Sequence, residues 1–450
     1  MQNSNLWAAV QKILVNEDII FDATCFTISY TRIGGYLGRP YSPTLSLQEK
    51  IRASEIKGIW RWWARVLLAT ALYNKGYNVT DLQKLDEYIS EIVGSEKNPS
   101  KLILKISCKE IREGNKISIQ VQEIPRIKLL LRLREEEQKQ YKPYEVETLI
   151  NVNYNFQLTI IKSQRNIDRR EMDFALYSLV LALLLSGIGS LLNRGFGKIK
   201  INLKVCINAE LREGLKRLYS SKNKEDVRNN LNSFIKNAIN SAERYLLFLE
   251  ENKKLDIKLS NSNKEPTIPI FIDDYFKLEI LEVPENKQRD ILKCIGKSTS
   301  KLEWKSYKLY KKLTTENLNQ SEKENVRKEH GIKYHTWILG MPRSSKINDK
   351  ITGYIGIDRR ISSIAFSLLK SDQNAYYIII YGFLTYDWEN SMKRLHYKGE
   401  DEGGISEILE NKGALNPVKD AIIKPANIRN VFEIAFETSK TILEKCLTLR

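Results

Sequence analysis

Between Ile19 and Ile207 the chain alternates strand and helix signals in the order β-α-β-β-α-β, which limits the fold more than any other feature. The first strand signal, Ile19 to Thr31, is β-branched and aromatic. A Gly/Pro-rich loop follows, and Ser54 is the expected N-cap of an amphipathic helix over 55–75. Strands are expected at Leu102–Cys108, Lys116–Ile124 and Ile150–Ile161, with a loop near 125–149. A second helix, Arg170 to Ser186, leads through a glycine loop, Gly187 to Gly197, into a strand at Ile199–Ile207. This is the split βαβ, ferredoxin-like (RRM-like) order of an α+β protein.

The second half carries the same signals more loosely. Residues 210–255 recur at helical spacing through Leu215, Leu218, Leu231, Phe234, Ile235 and Ala238. Strand signals return at Tyr334–Leu339, Ile361–Leu369 and Tyr376–Leu384, and a helix over Ile428–Leu447 follows. The expected organisation is therefore two ferredoxin-like domains, 1–207 and 208–450, the second with a helical insertion at about 210–335. A four-residue echo, Gly35-Tyr36-Leu37-Gly38 and Gly353-Tyr354-Ile355-Gly356, is compatible with duplication but too short to establish it.

Composition narrows the function classes. A hydrophobic content of 42% over 450 residues supplies ample core and excludes general disorder. The longest apolar run, Phe174 to Ser186, is short of the roughly 18–20 residues that span a bilayer, and Met1-Gln2-Asn3-Ser4 lacks the charge of a secretory signal. With 72 basic and 55 acidic residues the formal charge is +17, which implies an anionic partner. Distribution sharpens the point: no acidic residue lies between Asp173 and Glu210, where Arg194, Lys198, Lys200 and Lys204 fall. Cys25, Cys108, Cys206, Cys294 and Cys446 form no CxxC pair and read as buried thiols in a reducing, cytoplasmic setting. With only His330, His335 and His396 beside them, neither a metal site nor a cofactor is expected.

Two motifs carry chemistry. On the helix over 55–75, Ile56, Ile59, Trp60, Trp63 and Leu67 share one face at 100° per residue. Lys57, Arg61 and Arg65 repeat at i, i+4 and i+8 on another, with Trp62 between the two and Arg52 one turn ahead. Aligned like charges repel, so such a stripe suits a polyanion or carboxylates elsewhere in the fold, and a nucleic-acid or intersubunit contact stands beside a simply solvated helix edge as its reading. The loop Gly187, Gly189, Ser190, Asn193, Arg194, Gly195, Phe196, Gly197, Lys198 follows a helix and enters a strand, the reverse of a dinucleotide or P-loop order. Its backbone N–H groups with Arg194 and Lys198 suit a sugar–phosphate backbone. The competing reading is a tight turn, which needs one or two glycines rather than four.

Together, Arg52 through Arg65 and the Gly-Ile-Gly-Ser…Arg-Gly-Phe-Gly loop resemble the RAMP superfamily of CRISPR-associated proteins. More narrowly, Ile56-Lys57-Gly58 through Arg65 resembles the family of first (Cmr-one) subunits of type III-B effector complexes. A third match, Leu339-Gly340-Met341-Pro342 followed by Arg359-Arg360-Ile361-Ser362-Ser363, is similar to that family's Leu-Gly-Leu-Pro and Arg-Arg-x-Ser-Pro, with Ser363 in place of the proline. The resemblance implies RNA-binding roles for the stripe, the glycine loop, Arg359 and Arg360. It also implies contact with the 3′ part of the CRISPR RNA and its paired target RNA, other RAMP subunits as partners, no membrane, and a catalytic acid on another subunit. In such assemblies base pairing reads sequence while protein supplies backbone contacts. The alternative is a metal-independent endoribonuclease of the CRISPR-RNA-processing type, with His335 or His396 as acid or base. A DNA-binding regulator lacks a helix-turn-helix or zinc signature.

Overall fold

The computed structural model describes residues 18–33, 41–42, 47–48, 50–77, 82–95, 98–108, 116–120, 124, 145–163, 167–257, 265–300, 303–304, 336–340, 343–347, 350–355, 362–387, 396–398 and 425–448. Four strands form the N-terminal sheet: β1 (Ile19–Thr27), β2 (Leu102–Cys108), β3 (Asn155–Lys162) and β4 (Ile199–Cys206). Their order is β2-β3-β1-β4 and every neighbour is antiparallel. The sheet is half-buried. Ala23, Cys25, Phe156, Leu158 and Ile201 face inward, and alternate residues such as Thr24, Gln157 and Asn202 face out.

Helices α1 (Ala53–Asn74), α2 (Leu82–Val93) and α3 (Arg169–Leu181) pack with this sheet. α1 buries Ile56, Trp60, Trp63 and Leu67, the face set by the 3.6-residue period. Its N-cap is Arg52 with no side-chain hydrogen bond, rather than Ser54 as expected. α3 has a stronger start: Asp168 accepts from the Arg170 amide, and Glu171 reaches back to the Asp168 amide in a capping box. Two long helices, α4 (Ala209–Tyr219) and α5 (Lys224–Glu251), cover the layer. α5 lies against α1 and α3, with Tyr245 stacked on Phe174 at 4.7 Å and its hydroxyl donating to the Tyr88 carbonyl at 2.9 Å.

A second antiparallel sheet contains β5 (Phe276–Val283), β6 (Ile364–Lys370) and β7 (Tyr376–Phe383) in the order β6-β7-β5. Helices α6 (Ile291–Ser298) and α7 (Pro425–Thr448) pack together beside it. The molecule is thus a mixed helix and antiparallel-sheet protein. Among the described residues no helix is long and apolar enough to cross a membrane.

Three local expectations are corrected. The strand expected at Tyr334–Leu339 is a short 3-10 turn, Thr336–Leu339, where described. The strand expected at Ile150–Ile161 is two strands: Glu145–Ile150 pairs with Lys116–Gln120, Asn153 adopts φ 67°, and Asn155–Lys162 enters the main sheet. Not all cysteines are free thiols either. Cys294 and Cys446 form a disulfide that ties α6 to α7 across 152 residues, while Cys25, Cys108 and Cys206 remain free. The first glycine echo, residues 35–38, lies outside the described residues.

Candidate functional site

The basic stripe of α1 does not stand free in solvent. α2, an element unforeseen from the sequence, lies alongside it, and Gly94 at its end accepts Arg61 Nε at 2.9 Å together with Arg61 Nη2. Arg65 pairs with Asp86 of α2, both side chains partly exposed at 28% and 46%, a geometry worth at most about 1 kcal/mol. Lys57 is half-buried; burial first, and the charge of Arg61 second, hold its ammonium pKa below the usual lysine value. Arg52 is exposed at the helix entrance.

The glycine loop is a crossing of the chain over itself. Gly187 and Gly197 have φ of 82° and 68°. A Cβ on Gly187 would meet the Gly197 carbonyl oxygen at 2.1 Å, and one on Gly197 would meet that of Ile188 at 1.8 Å. Closure is made by the Ile188 amide donating to Gly197 at 2.8 Å and the Gly197 amide donating to Tyr30 at 2.9 Å. Ser190 anchors the loop to the Arg32 carbonyl through its amide at 2.8 Å and its hydroxyl at 3.3 Å. Gly189 and Gly195 also have positive φ, against Arg32 and Ile295.

The loop's cations are turned inward, which corrects the expectation that Arg194 and Lys198 face a phosphate backbone. Lys198 has no exposed surface; its Nζ donates to the carbonyls of Leu185 (2.8 Å), Ser186 (2.7 Å) and Leu192 (2.6 Å). Burial pushes this amine well below the ordinary lysine range. Arg194 is 5% exposed and donates to the Leu339 carbonyl, and Phe196 is buried in the second core. These contacts lock the loop to the second sheet. The Phe366 amide donates to Asn193 at 3.3 Å, and Ser367 Oγ to Leu184 at 2.6 Å.

Where α1, the loop and the second sheet meet there is a cleft of about 720 Å³. One wall is Gly58, Ile59, Trp62 and Arg65 of α1; another is Ser186, Leu192 and Asn193. Ser362, Ser363 and Ala365 close it from the second half, with Tyr381 and Phe383 from β7. The Trp62 ring sits edge-on to Trp63 at 4.8 Å and to Phe383 at 6.1 Å. Asp387, which accepts from Thr385 Oγ1 at 2.7 Å, supplies a carboxylate at the rim. Burial raises the Tyr381 phenol, so it stays a neutral donor.

All three sequence motifs thus reach one cavity, through Trp62 and Arg65, through Asn193, and through Ser362–Ser363. Arg359, Arg360, His330 and His335 lie outside the described residues. His396 lies on a short strand opposite Ile355, its side chain undescribed. Among the described residues no cluster of three His, Cys, Asp or Glu could hold a metal. Tyr381, Phe383, Thr385 and Asp387 were not singled out from the sequence, because an aromatic β-run next to a turn carries the same pattern as plain core.

Comparison with known proteins matches residues 45–200, the span from before α1 through the glycine loop, to the RAMP superfamily model. The chain is 25% identical to "CRISPR system CMR subunit Cmr1" of Saccharolobus solfataricus, covering 78% of this chain and 92% of that protein. Its fold is similar to chains in two cryo-EM structures of the type III-B Cmr-beta complex bound to cognate target RNA. One has a TM-score of 0.54 at 17% identity, covering 96% of this chain and 100% of that one. The other has a TM-score of 0.50 at 18% identity, covering 89% and 100%.

Proposed function

We propose that this chain is a RAMP-superfamily protein acting as a non-catalytic RNA-binding subunit of a type III-B CRISPR ribonucleoprotein, a reading supported by the RAMP match over residues 45–200 and by the similarity to a Cmr1 subunit over most of its length. Its cleft takes the 3′ part of the CRISPR RNA and the target RNA paired with it. Its partners are those RNAs and other RAMP subunits, in the cytoplasm. In this reading the chain comprises two ferredoxin-like units, 1–207 and 208–450, the second with a helical insertion at about 210–335. The observation that carries it is the convergence of the three motif segments on one cleft.

The cleft's chemistry supports binding rather than cleavage. It offers an aromatic ring for stacking, amide and hydroxyl groups for hydrogen bonds, and one guanidinium. A 2′-hydroxyl cleavage needs a base and an acid placed on either side of one phosphate. Asp387 is the one carboxylate lining it among the described residues, and Thr385 already occupies one of its oxygens. Incubating labelled single-stranded RNA with the protein, with and without Mg²⁺, should show a shifted complex and intact RNA. Defined fragments that disappear on His335→Ala or His396→Ala would replace this reading with the endoribonuclease one.

A further inference from the structure

A second groove lies away from the cleft, between the outer edge of β4 and helix α4, with a volume of about 490 Å³. We propose that it is a second contact track for single-stranded RNA, which rests on the reading of the protein as an RNA-binding subunit. Phe26 and Asn202 stand on the outward face of the N-terminal sheet beside Lys200, and Phe26 pairs in register with Lys200. Arg212 and Lys216, one helical turn apart on α4, are exposed and reach the groove from the opposite wall. The groove therefore holds three cations against one carboxylate, Asp372, which is ion-paired with Lys200 at 2.7 Å. Among the described residues Arg212 and Lys216 have no ion-pair partner.

Each component matches a part of a nucleotide. Arg212 and Lys216 suit phosphodiester oxygens, the half-buried Phe26 ring offers a stacking face, and the Asn202 amide offers a donor and an acceptor. The strand edge adds polar groups. The Ile201 amide points outward and donates to Tyr219 Oη at 3.0 Å, so the backbone of Leu203, two residues on, lies on the same open edge. An acidic peptide would use the same cations, but a pleated partner has no use for an aromatic platform on the sheet face.

The two sites are joined by one strand. β6 starts beside the cleft, which Ala365 lines, and ends at Lys370, two residues before Asp372 at the groove, a strand about 20 Å long. A single RNA long enough to occupy both binds as a bivalent ligand.

The test uses a labelled oligouridylate of about 20 nucleotides, longer than one such site, and the full chain. Arg212→Glu with Lys216→Glu should weaken binding roughly tenfold or more, and make log K against log salt shallower by about 1.4, the value for two phosphate contacts. A control pair of the same charge change on exposed lysines elsewhere, Lys236→Glu with Lys253→Glu, should leave the slope near wild type. If groove and control variants behave alike while Trp62→Ala loses affinity, the groove proposal is overturned and the cleft stands. If the groove variant binds RNA normally but fails to join other subunits, the groove is a protein-docking edge and the proposal is again overturned. Absence of RNA binding by the wild type overturns both.

Discussion

Trp60→Ala is expected to unfold the protein at temperatures the native chain tolerates. The indole is fully buried, and its Nε1 donates to the Ala175 carbonyl and to Ser178 Oγ, both at 2.9 Å. Truncation opens a cavity between α1 and α3 and leaves those acceptors short of a donor. Loss of a buried Trp costs about 3–5 kcal/mol, a large share of the ~5–15 kcal/mol that holds a domain together. Trp63→Ala should be nearly as severe, since its ring is buried against Phe271 and its Nε1 donates to Ser186 Oγ at 2.8 Å. Denaturant melts that rank Trp62→Ala as the most destabilising of the three would contradict this packing.

Lys198→Met is the second large effect expected, and it separates the buried role of this lysine from the ligand-facing one. Lys198 Nζ donates to three converging carbonyls, so an apolar replacement of similar length removes all three bonds and strands the buried Leu185 carbonyl, while those of Ser186 and Leu192 lie beside the cleft. The expected loss is about 2–4 kcal/mol. Lys198→Arg should not rescue it, because a planar guanidinium fork cannot place three hydrogens about one nitrogen position. An unchanged denaturation midpoint with weakened RNA binding would return Lys198 to the phosphate-contact role.

The order of elements in the first half is legible because each buried face repeats at its own period. Ile56, Trp60, Trp63 and Leu67 mark a helix face, and the alternation in β3 marks a half-buried strand. The helix α2 was equally readable, since Leu85, Ile89 and Ile92 recur at helical spacing. With α2 in place the Lys57–Arg61–Arg65 stripe is not free, because Gly94 and Asp86 take up two of its members. Inward lysines are a different case. A lysine following glycine has the same sequence whether its amine meets solvent or a ring of carbonyls, and only tertiary closure decides. Nor was the Cys294–Cys446 bridge legible, because a sequence separation of 152 gives no clue to which helices meet. The cleft was half visible: Trp62 fell off the apolar face as the phase required, but its partner Phe383 belongs to a strand that reads as core.

The central claim is that the cleft beside Trp62 receives RNA. Its most direct test is the affinity of Trp62→Ala for single-stranded RNA, measured on protein whose melting curve shows it still folded. Trp62 is only half-buried, so the fold should survive the change. Loss of one stacking platform costs about 1–3 kcal/mol, so binding should weaken by roughly 5- to 150-fold at constant salt. Folded Trp62→Ala protein that binds RNA as tightly as the wild type would contradict the claim.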